Sequence, residues 1–258
     1  MLKKIIASMI VFGLSGGEAM ADPFMQEKGT GRIIASGIHT RSGKGFDNNG
    51  NVEDINTYKQ NQIYLQAQYG LTEDLTVLLT PSYRDVEVTG GDDTSGLGYT
   101  DVGARYRLAH GGNWVVSAQG LVRIPGRERA DRIAQIGNTD MEYDVRLGAG
   151  YGKGPFFASV EGGYRFRAGD PPNEFRMEMA AGARVAPRLM VIGTSINVFS
   201  DGKGERIFDQ SYRYGDLYLS AVYEISSNIS LQAGYTGTIY GKNALRQRGP
   251  FIGVWYSF

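Results

Sequence analysis

The sequence predicts an all-β protein: a transmembrane antiparallel up-and-down β-barrel of about twelve strands, preceded by a cleaved signal peptide. Three observations predict it. Apolar and polar residues alternate with period two over segments of roughly ten residues, the length a tilted strand needs to cross a bilayer. The connections between those segments alternate between short and long. The chain begins like an exported protein and ends on an aromatic residue, Phe258.

The beginning divides the chain into two parts. Lys3 and Lys4 open it, Ile5 to Leu14 form an apolar stretch, and Ala19-Met20-Ala21 gives a small-residue cleavage pattern. This is the layout of a secretory signal peptide, too short for a spanning helix. Residues 1–21 are therefore expected to be removed, leaving residues 22–258 as the barrel domain.

The strands are read from about residue 57 onward. In the clearest one Met141, Tyr143, Val145, Leu147, Ala149 and Tyr151 share a face, opposed by Glu142, Asp144, Arg146, Gly148 and Gly150. Ile63, Leu65, Ala67 and Tyr69 alternate with glutamines in the same way, and Leu217 to Ile225 and Ile229 to Ile239 repeat the pattern. Five short connections lie near residues 72–74, 110–113, 152–154, 186–188 and 226–228. Six longer, more polar ones lie near 42–56, 89–95, 125–139, 169–173, 200–210 and 242–248. Short turns on one side and long loops on the other are the habit of bacterial outer-membrane barrels, and this count puts both termini on the periplasmic side. In the last segment Pro250, Ile252, Val254, Tyr256 and Phe258 share one face, the kind of closing strand that outer-membrane assembly machinery reads.

Charge falls on the opposite face. Arg165 and Arg167 alternate with Tyr164 and Phe166, and beyond two prolines Arg176 and Glu178 alternate with Phe175 and Met177. In a barrel the apolar face meets lipid and the polar face lines the lumen. The lumen is then expected to hold Asp101, Arg105, Arg107, Arg123, Glu142, Asp144, Arg146, Glu161, Arg165, Arg167, Arg176, Glu178, Arg184, Asp216 and Glu224. Strand direction places Arg123, Glu142, Asp144, Arg165, Arg167, Arg176 and Glu178 near the extracellular mouth, and these are the candidates for a selective constriction. Two readings stand side by side. The charges form a salt-bridged ladder that stiffens the wall, or Arg123, Arg165, Arg167 and Arg176 form a positive strip opposed by Glu142, Asp144 and Glu178 that prefers anions.

Other classes find little support. Without cysteine there is neither a disulfide framework nor a thiolate metal site. Lys plus Arg equal Asp plus Glu at 27 each, which argues against nucleic acid as a partner. Past the signal peptide no apolar run is long enough for a helical span. The chain has two histidines; His110 is expected in a turn, and the same-face neighbour of His39 is Arg41 rather than a serine, so no hydrolase constellation emerges. Asp92 and Asp93 are acids at a rim, read as a solvated loop. Asp47-Asn48-Asn49-Gly50-Asn51 has its glycine on the wrong side of a third ligand for a calcium loop, and is read as a polar turn. Catalytic residues, metal and cofactor are all expected to be absent.

Three stretches resemble a known family: residues 62–77 (QIYLQAQYGLTEDLTV), 95–108 (SGLGYTDVGARYRL) and 162–176 (GGYRFRAGDPPNEFR), with a similar closing segment at 241–258. They are similar to the XagA-like proteins, within a wider group of outer-membrane proteins named after a phenol-degradation (MetA-type) pathway. The wider group has Gly-Leu-Gly-Asp where this chain has Gly96-Leu97-Gly98-Tyr99, which favours the narrower match. The resemblance implies an outer-membrane barrel and a link with surface polysaccharide or adhesion. It carries over no catalytic residues.

The expected function is a narrow passive channel for small solutes; the alternative is a closed structural or interaction barrel. In the alternative, Arg127, Arg129, Arg132, Lys203 and Arg206 on the long loops would meet acidic polysaccharide or lipopolysaccharide phosphates. Expected partners are outer-membrane lipid, lipopolysaccharide and the assembly machinery.

Overall fold

The structure, a computed structural model, describes residues 23–91, 93–126 and 140–258. The expected signal peptide, Asp92 and the loop arginines 127, 129 and 132 lie outside the described residues.

Fifteen hydrogen-bonded segments form one antiparallel sheet. They are β1 (Gly31–Phe46), β2 (Val52–Gly70), β3 (Leu75–Thr80), β4 (Ser82–Val88), β5 (Asp93–Leu97), β6 (Thr100–Gly111), β7 (Trp114–Ile124) and β8 (Glu142–Lys153). There follow β9 (Phe156–Arg167), β10 (Glu174–Ala186), β11 (Leu189–Ser200), β12 (Arg213–Glu224), β13 (Ile229–Lys242), β14 (Ala244–Leu245) and β15 (Arg248–Ser257). Three pairs of segments act as single staves, giving a twelve-strand barrel. Both β3 and β4 pair with β2 and are separated only by Pro81, which has no N–H for the ladder. Likewise β6 and β5 pair with β3 and β4, and break at Gly98 and Tyr99. The short β14 precedes β15, and both pair with β1.

The sheet closes on itself because β1 pairs with β2 on one side and β15 on the other. Closure removes the free edges that a lipid environment would not hydrogen-bond. A typical stave such as β8 has 12 residues. At about 3.3 Å per residue and a tilt near 40°, it covers roughly 30 Å, the thickness of a hydrocarbon core.

The faces follow the expected alternation. Glu142, Asp144 and Arg146 of β8 are buried toward the lumen while Tyr143, Val145 and Leu147 are exposed. Aromatic side chains ring the outer face at both ends. Tyr164 meets Phe166 and Phe175 edge-on, each at 4.8 Å, at the end carrying the long loops. At the end carrying the short turns Phe258 stacks between Tyr69 and Tyr256, at 6.4 and 5.7 Å. Such girdles mark the two boundaries of an apolar band. The 19-residue β2 extends beyond its band, and its outward residues change from Ile63 to Asn61 and Lys59.

The short connections lie where expected, and 125–141 and 201–212 are long, but three of the expected long loops are shorter: β1 and β2 pair out to Phe46 and Val52, β4 and β5 pair out to Glu87 and Asp93, which puts Asp93 in a strand rather than a loop, and β14 lies within the expected 242–248 loop. The β6–β7 turn is tighter than expected: pairing runs through His110 to Gly111, and only Gly112 and Asn113 make the turn. The Asp47 turn is also confirmed as a turn. The Asp47 carboxylate accepts from the backbone N–H of Asn49 and Asn51, both at 2.8 Å, and the latter bond leads in holding it below the usual carboxylate range.

Candidate functional site

Ten charged residues of β6 to β10 meet in one continuous network on one wall of the lumen, while Arg105 bonds Phe24 and Gln119 beside it. A horizontal row across adjacent strands reads Asp101, Arg123, Glu142, Arg167. The row beside it reads Asp144, Arg165, Glu174. Opposite signs therefore sit side by side, at the close cross-strand spacing where pairs interact.

The bonds follow the rows. Arg123 donates Nε to Asp101 at 2.9 Å and Nη1 to Glu142 at 3.2 Å, with its guanidinium 4.8 Å over the Tyr99 ring. Arg167 donates to Glu142 at 2.8 Å, to Glu174 at 3.0 Å and to the Tyr212 hydroxyl at 2.9 Å. Arg165 makes two bonds to one oxygen of Asp144, at 3.0 and 2.7 Å. Arg146 forks onto both oxygens of Asp144, at 2.8 and 3.1 Å, and reaches Glu178 at 2.6 Å. Arg176 donates to Glu174 at 2.9 Å. The Tyr212 hydroxyl bonds the same carboxylate.

Five arginines and five carboxylates thus share charge-assisted bonds, with no excess of either sign. Desolvating so many ions is costly, and only mutual pairing of this kind offsets it. All seven candidate residues from the sequence are in this network. The arrangement differs from a positive strip opposed by acids, because the partners are neighbours on one wall rather than faces across a gap. Arg107 and Arg184 stand apart, at the short-turn rim, paired with Asp74 and Glu224.

The facing wall is of another kind. Ile38, Tyr64 and Phe251 pack together from β1, β2 and β15, with Tyr218 of β12 against them. Toward the long loops Ile196, Val198, Tyr212, Tyr214 and Ala244 form a second cluster closed over by Phe208. Phe208 comes from a one-turn 3-10 helix, Arg206–Phe208, in the β11–β12 loop, and is completely buried there. The two sides of the lumen differ: paired charges dominate one, while the other mixes tyrosine and aliphatic carbon with buried Gln60, Gln62, Thr236 and Thr238 and carries the charged Arg84 and Asp216. The Tyr58 and Tyr214 hydroxyls and the free amide atoms of Gln60 and Gln62 have no protein partner.

A segment before β1 enters from the short-turn end. The Phe24 carbonyl accepts from Arg105 Nη1 at 3.1 Å, Gln26 N–H donates to the Thr76 hydroxyl at 3.0 Å, and the Gln26 side chain meets Gln68 at 3.2 Å. The inward positions of β8 facing this segment are glycines. A Cβ on Gly148 would approach Pro23 at 3.1 Å, and one on Gly150 would approach Phe24 at 2.7 Å. Beside the segment a cavity of about 680 Å³ opens between Phe24, Ile34, Phe157, Ile192 and Trp255. Gly150→Leu is expected to expel Phe24 from the lumen; the check is limited proteolysis with chymotrypsin, with cleavage after Phe24 in the variant and protection in the parent.

Sequence reasoning missed four contributors. Glu174 stands two residues before Arg176 on the same face and was legible there. Tyr212 and Phe208 belong to a long loop without periodicity. Residues 23–26 precede the first strand, and nothing in their composition announces that they fold inward.

The fold is that of outer-membrane β-barrels. An outer membrane channel from Pseudomonas putida F1 is similar with a TM-score of 0.80 at 14% identity, covering 93% of this chain and 100% of that one. The NanC porin has a TM-score of 0.59 at 11% identity, covering 86% of this chain and 98% of that one. A KdgM porin, in complex with disordered oligogalacturonate, has a TM-score of 0.54 at 10% identity, covering 88% and 99%. No family model matches the sequence, and no curated protein matches it.

Proposed function

We propose that this protein resides in the bacterial outer membrane, with its termini in the periplasm and its long loops outside, and serves as a narrow passive channel for small polar solutes. The two-sided lumen carries this reading. A small solute bearing hydroxyl groups would find donors and acceptors on the charged wall, and carbon surface with amide and hydroxyl groups on the other. The similarity to channels and porins supports it at the level of fold. An acidic oligosaccharide of the kind held by the KdgM porin would meet no uncompensated arginine in the network. We also keep this chain with the XagA-like proteins, on the segments quoted above.

One observation favours a second reading, that of a closed interaction barrel. Phe208 and residues 23–26 occupy the lumen from its two ends. Liposome swelling decides between them. Vesicles holding the refolded chain 22–258 are expected to swell in isotonic monosaccharide and to resist larger sugars. Absence of swelling in every sugar would leave the closed barrel, with Lys203 and Arg206 on the outer loop as the residues to pursue.

A further inference from the structure

Outside the barrel, just above the apolar band at the long-loop end, one sector carries basic residues in adjacent strands. Arg248 of β15 lies opposite Arg41 of β1, and Arg41 lies opposite Lys59 of β2, all on the outward face. Like charges directly opposite one another on a sheet face are destabilising. Lys59 is relieved by Glu87 at 2.8 Å. Arg41 and Arg248 are exposed and have no ion pair among the described residues. On the other flank of Arg248 the outward neighbour is Gly237, which leaves a notch beside the arginine. Farther up the same sector Arg213 of β12 lies opposite Lys242 of β13, again without an acidic partner among the described residues.

Directly below this sector the surface becomes hydrocarbon. Tyr235, Ile252, Val254, Ile63 and Leu65 are exposed outward on β13, β15 and β2. An anionic head held above, with apolar chains running down the wall, is the shape this sector complements. Charge complementarity, height and the apolar wall agree on one occupant.

We propose that the outward sector centred on Arg41 and Arg248 binds the phosphate groups of a phosphorylated glycolipid of the outer leaflet, with its acyl chains lying along β15 and its neighbours. The site rests on the outer-membrane placement proposed above, and is independent of whether the lumen conducts. Each arginine would give a phosphate a two-pronged, charge-assisted contact, which a lysine delivers only as a point charge.

The test uses the refolded chain 22–258 in phosphatidylcholine vesicles carrying either diphosphoryl lipid A or its dephosphorylated form. Lipid retained after detergent extraction is counted by native mass spectrometry. The parent is expected to retain diphosphoryl lipid A and not the dephosphorylated form. The Arg41→Gln/Arg248→Gln double variant is expected to lose retention about ten-fold, and Arg41→Lys/Arg248→Lys to keep part of it. Each variant is first shown to be a heat-modifiable barrel, and one that fails is replaced by the corresponding single substitution. Equal retention by parent and Gln variant, or equal retention of the dephosphorylated form, overturns the proposal. So does equal retention of phosphatidylglycerol, which would make the sector a general anionic surface. Because conductance plays no part in the readout, failure here is distinct from failure of the channel.

Discussion

Refolded protein lacking residues 22–29 is expected to show single-channel conductance several-fold above that of the chain 22–258. Residues 23–26 lie inside the lumen, over Gly148 and Gly150, held by a bond from Arg105 to the Phe24 carbonyl and by bonds from Gln26 to Thr76 and Gln68. Beyond them the segment adds to the wall only the Lys28–Gly29 bridge to Gly70, and closure depends on β1 meeting β2 and β15. Its removal should widen the passage and leave a heat-modifiable barrel. Planar-bilayer recording of the two chains side by side is the check. Equal step sizes would show that the narrowest point lies elsewhere, with the Phe208 loop the next element to trim.

Asp144→Asn is expected to produce the largest loss of stability among single substitutions in the charged wall. Its carboxylate is fully buried and serves Arg146 and Arg165 together. Removing one partner from a buried pair costs about 3 kcal/mol, at the lower end of the usual range because Arg146 keeps Glu178. The urea midpoint of the folded band should fall accordingly. The same variant leaves one positive charge uncompensated, so its channels should turn toward anions. Adding Arg165→Met to Asp144→Asn should restore the balance of charge and reverse the shift in ion preference. The double variant tests whether the two residues are coupled rather than independently placed. An unchanged midpoint and an unchanged preference in Asp144→Asn would contradict the network described here.

Much of this was legible in the sequence, and the reasons are local. Period two along 141–151 separates a lipid face from a lumen face whatever the strand pairs with. Register was not legible: the short connection is expected near 152–154, whereas the turn lies at Gly154 and Pro155, and that two-residue turn sets Glu142 opposite Arg167 and Asp144 opposite Arg165. Across the longer 168–173 connection no such rule applies, so the pairing of Arg165 with Glu174 was out of reach. For that reason a ladder of neighbours and a strip facing acids stood as equals before the structure. The inward folding of Phe24 and Phe208 was hidden for a different reason. Both sit in segments without periodicity, and what places them is space left by glycines and by a tyrosine cluster on distant strands. Pro81 and the Gly98 region interrupt staves that continue on either side of them, which explains why twelve strands could be counted correctly while their ladders are broken.

The central claim is that the lumen is an open passage whose wall charges cancel. The most direct measurement is the reversal potential of the refolded chain 22–258 across a potassium chloride gradient in a planar bilayer. Discrete conducting steps with a reversal potential close to zero are expected, because the arginines and carboxylates of the network are equal in number and paired. A strong preference for either ion would mean that part of the network is unpaired in the working protein, and a folded barrel that never conducts would contradict the passage itself.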